Sequence, residues 1–171
     1  MISAAAARRG RVPPTEERLF RASNRAPDGL ELPAWLVMQS GSLASVLVVS
    51  AATRVLGGRH RAAIALSAGS AVWAGVKAVK PLAHRGRPAD LLDGVVVRGQ
   101  PQVGLGYPSG HAAVSTTLAL TAMPPGRGRR VALAIAGFTG LSRMYVGAHL
   151  PLDVVGGLAI GTLVGTVVGS R

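Results

Sequence analysis

Five long apolar runs, separated by short polar or basic turns, leave this chain few ways to fold. They cover about residues 34 to 56, 62 to 79, 109 to 123, 131 to 146 and 151 to 169. At about 1.5 Å of rise per residue, roughly 20 apolar residues cross a hydrocarbon layer about 30 Å thick. Lipid offers no partner for backbone N–H and C=O groups, so such runs must be helices. The expectation is an all-α protein, a polytopic transmembrane helix bundle with about five membrane-spanning helices. The third run stops at Met123-Pro124-Pro125-Gly126 and is short for a crossing, so its start is expected below the membrane surface.

Residues 1 to 32 differ from the rest. An Ala run, Arg8-Arg9-Gly10-Arg11 and Pro13-Pro14 precede a mixed-charge segment with Glu16 and Glu17 placed for a helix's first turn. This reads as an N-terminal tail followed by an amphipathic interfacial helix, with an ordinary solvated helix as the alternative. Its apolar part is too short, and in the wrong order with the charges, for a signal peptide. Residues 33 to 171 then form one transmembrane domain.

The chain has no cysteine, which removes disulfides and thiolate chemistry. A net charge of +12, from 19 Lys and Arg against 7 Asp and Glu, raises nucleic-acid binding. The cations, however, sit at the edges of apolar runs and aromatic residues are few, so no base-stacking surface is indicated and anionic lipid headgroups explain the excess better. Gly157, Gly161, Gly165 and Gly169 recur every four residues on one face of the last run. Close packing against a neighbouring helix is the simplest role for that stripe, with a homodimer contact as the alternative.

Ionisable residues interrupt this apolar sequence in three places. Lys80 to Arg87 follows the second run, Tyr107-Pro108-Ser109-Gly110-His111 opens the third, and Ser142 to Asp153 joins the fourth to the fifth. Alternating connectivity brings all three to one membrane face, while the other receives the turns at 57 to 61 and 124 to 130. Each has a bland reading alone: Lys80, Arg87 and Arg143 as interfacial anchors, Pro108-Ser109-Gly110 as a turn and cap, Asp153 as a helix-start acid. Together they describe a phosphate site. Three cations with few acids suit a doubly charged oxyanion, a loop-to-helix junction offers backbone N–H groups, and two histidines allow one to attack phosphorus and the other to protonate the leaving oxygen. His149 and Asp153, four apart, would share a helical face, so that the carboxylate holds the ring. His60 and His84 read as surface histidines, and Asp90 and Asp93 as solvated or capping acids; no metal-ligand set is visible.

In order and spacing these residues resemble the type 2 phosphatidic acid phosphatase (PAP2) superfamily, membrane lipid phosphatase branch. Lys80 is followed after six residues by Arg87-Pro88, Pro108-Ser109-Gly110-His111 is intact, and Ser142-Arg143, His149 and Asp153 complete a pattern of S-R-x5-H-x3-D. The resemblance covers residues 80 to 153 and departs in two ways: a short spacer from His111 to Ser142, and five apolar runs where many members have six.

By position, the resemblance implies that His149 is a nucleophile that becomes phosphorylated, that Asp153 orients it, and that His111 is the acid for the leaving group and then the base for water. Lys80, Arg87, Ser109, Gly110 and Arg143 would bind the phosphate, without metal or other cofactor. The implied function is a membrane lipid phosphate or pyrophosphate phosphatase, acting on a polyprenyl (pyro)phosphate, a polyprenyl-linked sugar phosphate or a phosphatidyl phosphate. A lipid phosphotransferase and a non-catalytic phospholipid-binding protein are the alternatives. Arg59, Arg61, Arg127, Arg129 and Arg130, with no acid in their turns, place the opposite face in the cytoplasm and the active site outside it.

Overall fold

The computed structural model describes residues 11–169, and every regular element among them is helical. Pro14 opens α1 (Pro14–Asn24), the position where its missing N–H is least costly. A 3-10 turn at Asp28–Leu30 leads into α2 (Glu31–Met38), a second 3-10 turn at Gln39–Gly41, and α3 (Leu43–Val55). After Gly57, in the left-handed region at φ 87°, come α4 (Arg59–Ala83) and the short α5 (Pro88–Leu91). The remaining helices are α6 (Gly110–Thr121), α7 (Arg127–Tyr145) and α8 (Pro151–Gly169).

The first apolar run is not one straight helix. The helical segments 28–41 and 43–55 meet at a 67° bend. Ser42 caps the second, its side chain accepting from the Ser45 N–H at 3.1 Å. Ser40 Oγ lies 3.0 Å from Ser115 Oγ and 2.8 Å from Thr139 Oγ1, so hydroxyls on α6 and α7 hold the bend. Gly41 lies against the His111 carbonyl, where a Cβ would clash. By length and composition, the Arg59–Leu91 stretch and α8 are long and apolar enough to cross a membrane, and the bent pair makes a third candidate. α7 reaches 19 residues but carries Arg127, Arg129, Arg130 and Arg143.

Helix α6 is the axis of the bundle. It packs against α4, α7, α8 and the 3-10 turn at Gln39–Gly41, and from Ala112 to Ala119 every residue is buried. Small residues permit this. On the α8 glycine stripe, a Cβ at Gly157 would meet the Ser109 carbonyl, one at Gly161 the Ala113 carbonyl, and one at Gly165 the Leu120 side chain at 2.8 Å. The stripe is therefore occupied by α6 of the same chain, the close packing expected of it. Val46, Ala65, Val72, Val76, Val114 and Leu118 fill the space between α3, α4 and α6.

Alternating connectivity then sorts the ends. The C-terminal ends of α4 and α7 and the N-terminal ends of α6 and α8 gather at one end of the bundle. Arg61, Thr121, Arg129 and Gly169 line a common cavity at the other. Helix α1 closes the first end by packing on α7 and α8, with Phe20 fully buried against Ala112, Met144, Leu150 and Val154. Its inner side is thus built into the protein, while Arg18 and Leu19 point outward. Glu16 stands in the first turn, as expected, and is buried.

Candidate active site

Each of the three ionisable clusters reaches this end by a different local device. The last turn of α4 carries Lys80 and Pro81, and the helix ends two residues later with His84 left-handed at φ 49°. The chain then turns into α5, where the Asp90 carboxylate accepts the Arg87 N–H at 2.9 Å, the capping role expected of it. His84 is exposed, as is His60. Pro108 and Ser109 lead into the first turn of α6, which is locked to α8 by the Ser109 N–H donating to the Asp153 carbonyl at 2.8 Å. The 146–150 turn carries His149 between α7 and α8, with Gly147 left-handed against the Val96 carbonyl.

Lys80, Arg87 and Arg143 make no ion pair with a carboxylate among the described residues; their contacts are to neutral acceptors. Lys80 Nζ donates to the Leu105 and Gly106 carbonyls at 2.7 and 3.1 Å. Arg87 donates from Nη1 to the Ala148 carbonyl at 2.8 Å and from Nε to the Val103 carbonyl at 3.3 Å. Arg143 reaches only Met38 Sδ, at 3.5 Å, and its buried Nε has no partner. Carbonyls orient a cation without cancelling its charge, so the set is poised for an anion.

Two histidines face these cations. The charges of Arg143, Arg87 and Lys80 all act on His111 in the first turn of α6. His149 is buried, and its Nδ1 edge faces Asp153 Oδ2 at 3.5 Å, an ion-pair distance without a formed hydrogen bond. Burial pushes the His149 imidazole down to about 4, with Asp153 pulling the other way and Arg143 and Lys80 adding to the fall. The ring is therefore neutral at pH 7, and a proton on Nδ1, the nitrogen that faces the carboxylate, would leave the lone pair on Nε2. The Ser109 hydroxyl is fully buried and likewise without a partner. Such an assembly can bind a phosphate, deliver a nucleophile to it and move a proton.

Arg85 departs from expectation. Although it lies in a Gly- and Pro-rich stretch whose composition suits a solvated loop, it is only 2 % exposed and sits between two acids. It donates to Glu16 Oε2 at 2.6 Å and to Asp153 Oδ1 at 3.1 Å. Arg98 is also engaged, donating to Asp28 Oδ1 at 2.8 Å and to the Asn24, Ala26 and Tyr145 carbonyls. The only sequence signal for either is scarcity: with 7 acids in the chain, one beginning a helix at residue 16 has many cations competing for it. Spacing gives no hint of which.

Known proteins share this helical arrangement. The crystal structure of Aquifex aeolicus LpxE superposes with a TM-score of 0.82 at 24 % identity, covering 90 % of this chain and 94 % of that one. A PAP2-type phosphatidylglycerolphosphate phosphatase from Bacillus subtilis gives 0.77 at 22 % identity, covering 99 % and 90 %. These likenesses establish a shared fold. Decaprenylphosphoryl-5-phosphoribose phosphatase from Mycobacterium tuberculosis is 37 % identical over 92 residues, 54 % of this chain and 50 % of that protein. The chain thus spans about half the length of the curated relatives it matches. The sequence profile of the PAP2 superfamily matches residues 61–170, well over half of the chain, which therefore belongs to that superfamily.

Proposed function

We propose that this protein is an integral membrane phosphatase that hydrolyses a lipid-linked phosphate through a phosphohistidine on His149. The observation that carries the reading is the convergence of Lys80, Arg87 and Arg143, none in an ion pair with a carboxylate among the described residues, on two histidines and the buried Ser109 hydroxyl. His149 Nε2 attacks phosphorus, the bond to the leaving oxygen breaks, and protonated His111 gives that oxygen its proton. Neutral His111 then takes a proton from water, the hydroxide attacks the phosphohistidine, the P–N bond breaks and inorganic phosphate leaves. Lys80, Arg87, Arg143, Ser109 and the Gly110 backbone hold the equatorial oxygens as charge builds on them. No step needs a metal.

Within a bilayer the chain reads as about five passages: the bent α2–α3 pair, α4, α6, α7 and α8. α6 is shielded from lipid by its neighbours, and α1 lies at the interface. A cavity of about 670 Å³ opens beside Arg143 and Ala148, lined by apolar Leu32, Trp35 and Met38 and by polar Glu31, Gln100 and Gln102. A mixed apolar and polar lining suits a lipid tail that carries a hydroxylated headgroup. The name of the mycobacterial relative supports a polyprenyl-linked sugar phosphate as the first substrate class to test, ahead of polyprenyl pyrophosphates and phosphatidyl phosphates.

Incubating the purified protein with one member of each class, with and without an alcohol acceptor, tests the reading. Release of inorganic phosphate is expected. Transfer to the acceptor in its place makes the protein a phosphotransferase, and binding without turnover makes it a lipid-binding protein. The basic turns at the opposite end support an active site outside the cytoplasm. Single cysteines at Gln100 and Gly128, both exposed in a chain with none of its own, check this in intact cells. An impermeant thiol reagent is expected to label the first and spare the second; the reverse overturns the orientation.

A further inference from the structure

Glu16 lies outside the 61–170 stretch matched by the family profile, yet its buried carboxylate reaches His149 through two hydrogen bonds, by way of Arg85 and Asp153, and a final 3.5 Å contact. Oε2 accepts from Arg85 Nη2 at 2.6 Å and Oε1 accepts from the Leu152 N–H at 2.9 Å. Arg85 Nη1 then donates to Asp153 Oδ1 at 3.1 Å. The other Asp153 oxygen accepts the Leu150 N–H at 2.9 Å and faces His149 Nδ1 at 3.5 Å. Glu16, Arg85 and Asp153 are 5 %, 2 % and 0 % exposed.

Stability alone is a weak reason for such a triad. Desolvating three charges offsets most of their mutual attraction, and apolar replacements of buried ion clusters are often as stable. Geometry supplies a better reason. Glu16 grips both Arg85 and the backbone next to Asp153, so it fixes the carboxylate from two directions. It also shares the Arg85 charge. With one acid, Arg85 would neutralise Asp153; with two, the group keeps a net negative charge beside the imidazole, which is what an imidazole turning cationic on phosphorylation requires. Gly106 backs the arrangement, since a Cβ there would lie 3.0 Å from Asp153 Oδ2.

We propose that Glu16 and Arg85 are positioning residues for phosphoryl transfer: they hold Asp153 in place and charged, and through it set the tautomer and aim of His149. The N-terminal helix α1 is then a working part of the site. This rests on the assignment of His149 as nucleophile, and the experiment separates the two claims.

The test uses the full chain in detergent, with dioctanoyl phosphatidic acid and para-nitrophenyl phosphate as probes. Glu16→Gln, Glu16→Asp, Arg85→Lys and His149→Ala are compared by kcat, KM, the single-turnover rate of histidine phosphorylation, and thermal midpoint. Glu16→Gln and Arg85→Lys are expected to lower kcat and the phosphorylation rate together by about 10- to 100-fold, with KM within about threefold, the scale set by a displacement of the reacting groups. Glu16→Asp keeps the charge and is expected to recover most of the loss. Wild-type kcat in folded Glu16→Gln overturns the proposal, as does a loss that only tracks the folded fraction. Should Glu16→Gln not fold, Arg85→Lys decides alone: it keeps the charge but not the fork that spans two carboxylates. If His149→Ala retains more than about a tenth of the activity, the nucleophile assignment fails whatever Glu16 does. If it is inactive while Glu16→Gln and Arg85→Lys turn over normally, only the positioning proposal fails.

Discussion

Lys80, Arg87 and Arg143 share one end of the bundle with Arg85 and Arg98, and the two sets of cations are held in opposite ways. Arg85 and Arg98 each meet a carboxylate at 3.1 Å or less. They tie α1 and the loop after it to α7, α8 and the 92–98 segment. The first three are held by carbonyls and a thioether, which fix direction and leave charge over. A cation partly or wholly out of water without a counter-charge is unfavourable, so a fold that keeps three together, Arg143 buried and Lys80 and Arg87 half-buried, is stabilised by whatever anion fills the space. In a chain with so many cations, the partner of each is more informative than its number.

The largest effect that would sharpen this contrast is at the residue the unneutralised set surrounds. His149→Ala is expected to reduce turnover at least about a thousandfold, roughly 4 kcal/mol of barrier, and to abolish the phosphoenzyme while the thermal midpoint stays near wild type. Rapid-quench labelling measures this directly. Labelled protein in the variant would move the nucleophile elsewhere.

Next comes Arg143→Ala, which removes a charge that no acid balances. A fall in kcat/KM of about a hundredfold is expected, the scale of losing one charged donor to the transition state, with no loss of thermal stability. Orthovanadate, a five-coordinate mimic, should inhibit the wild type and lose potency in the variant, and a chelator should leave wild-type activity unchanged. Loss of activity in chelator, restored by magnesium, would show that these cations do not suffice.

Arg98→Ala is the mirror image. It strips hydrogen bonds from three backbone carbonyls and leaves Asp28, itself largely exposed, to water. A destabilisation of about 2 kcal/mol is expected by chemical denaturation, because the carbonyls lose a charged donor while Asp28 is readily solvated. Activity per folded molecule should largely survive. If Arg98→Ala abolishes turnover without destabilising, the division between the two sets fails.

The sequence discloses the unneutralised set far better than the neutralised one, for a physical reason. Lys80 with Arg87, Ser109 with His111, and Arg143 with His149 and Asp153 fall in short segments at the ends of apolar runs, and alternating helices must bring those ends together. The capping role of Asp90 and the packing of the α8 stripe follow from equally local rules. The bend between α2 and α3 does not. Its cause is tertiary, in the Ser40 contacts to Ser115 and Thr139 and in the approach of Gly41 to the His111 backbone. The Glu16 to Arg85 contact joins positions 69 apart, and an acid in a first helical turn already has a sufficient local explanation. That sufficiency conceals the second partner.

Adjacent acids in α1 give the finest test of the contrast. Glu16 and Glu17 occupy the same first turn and would be equivalent if their role were only to complement the helix dipole. Glu17 instead pairs with Arg21 four residues on, at 2.7 Å, with the two side chains 35 % and 24 % exposed. Such a pair is worth about 0.5 kcal/mol or less, because solvent screens it and both side chains lose freedom to form it. Glu17→Gln is accordingly expected to shift the thermal midpoint by about a degree or two and to leave kcat unchanged, with the residual effect fading as salt is raised. A kcat loss in Glu17→Gln equal to that of Glu16→Gln would mean that α1 acts through its overall charge or its docking, and not through the one carboxylate aimed at Arg85.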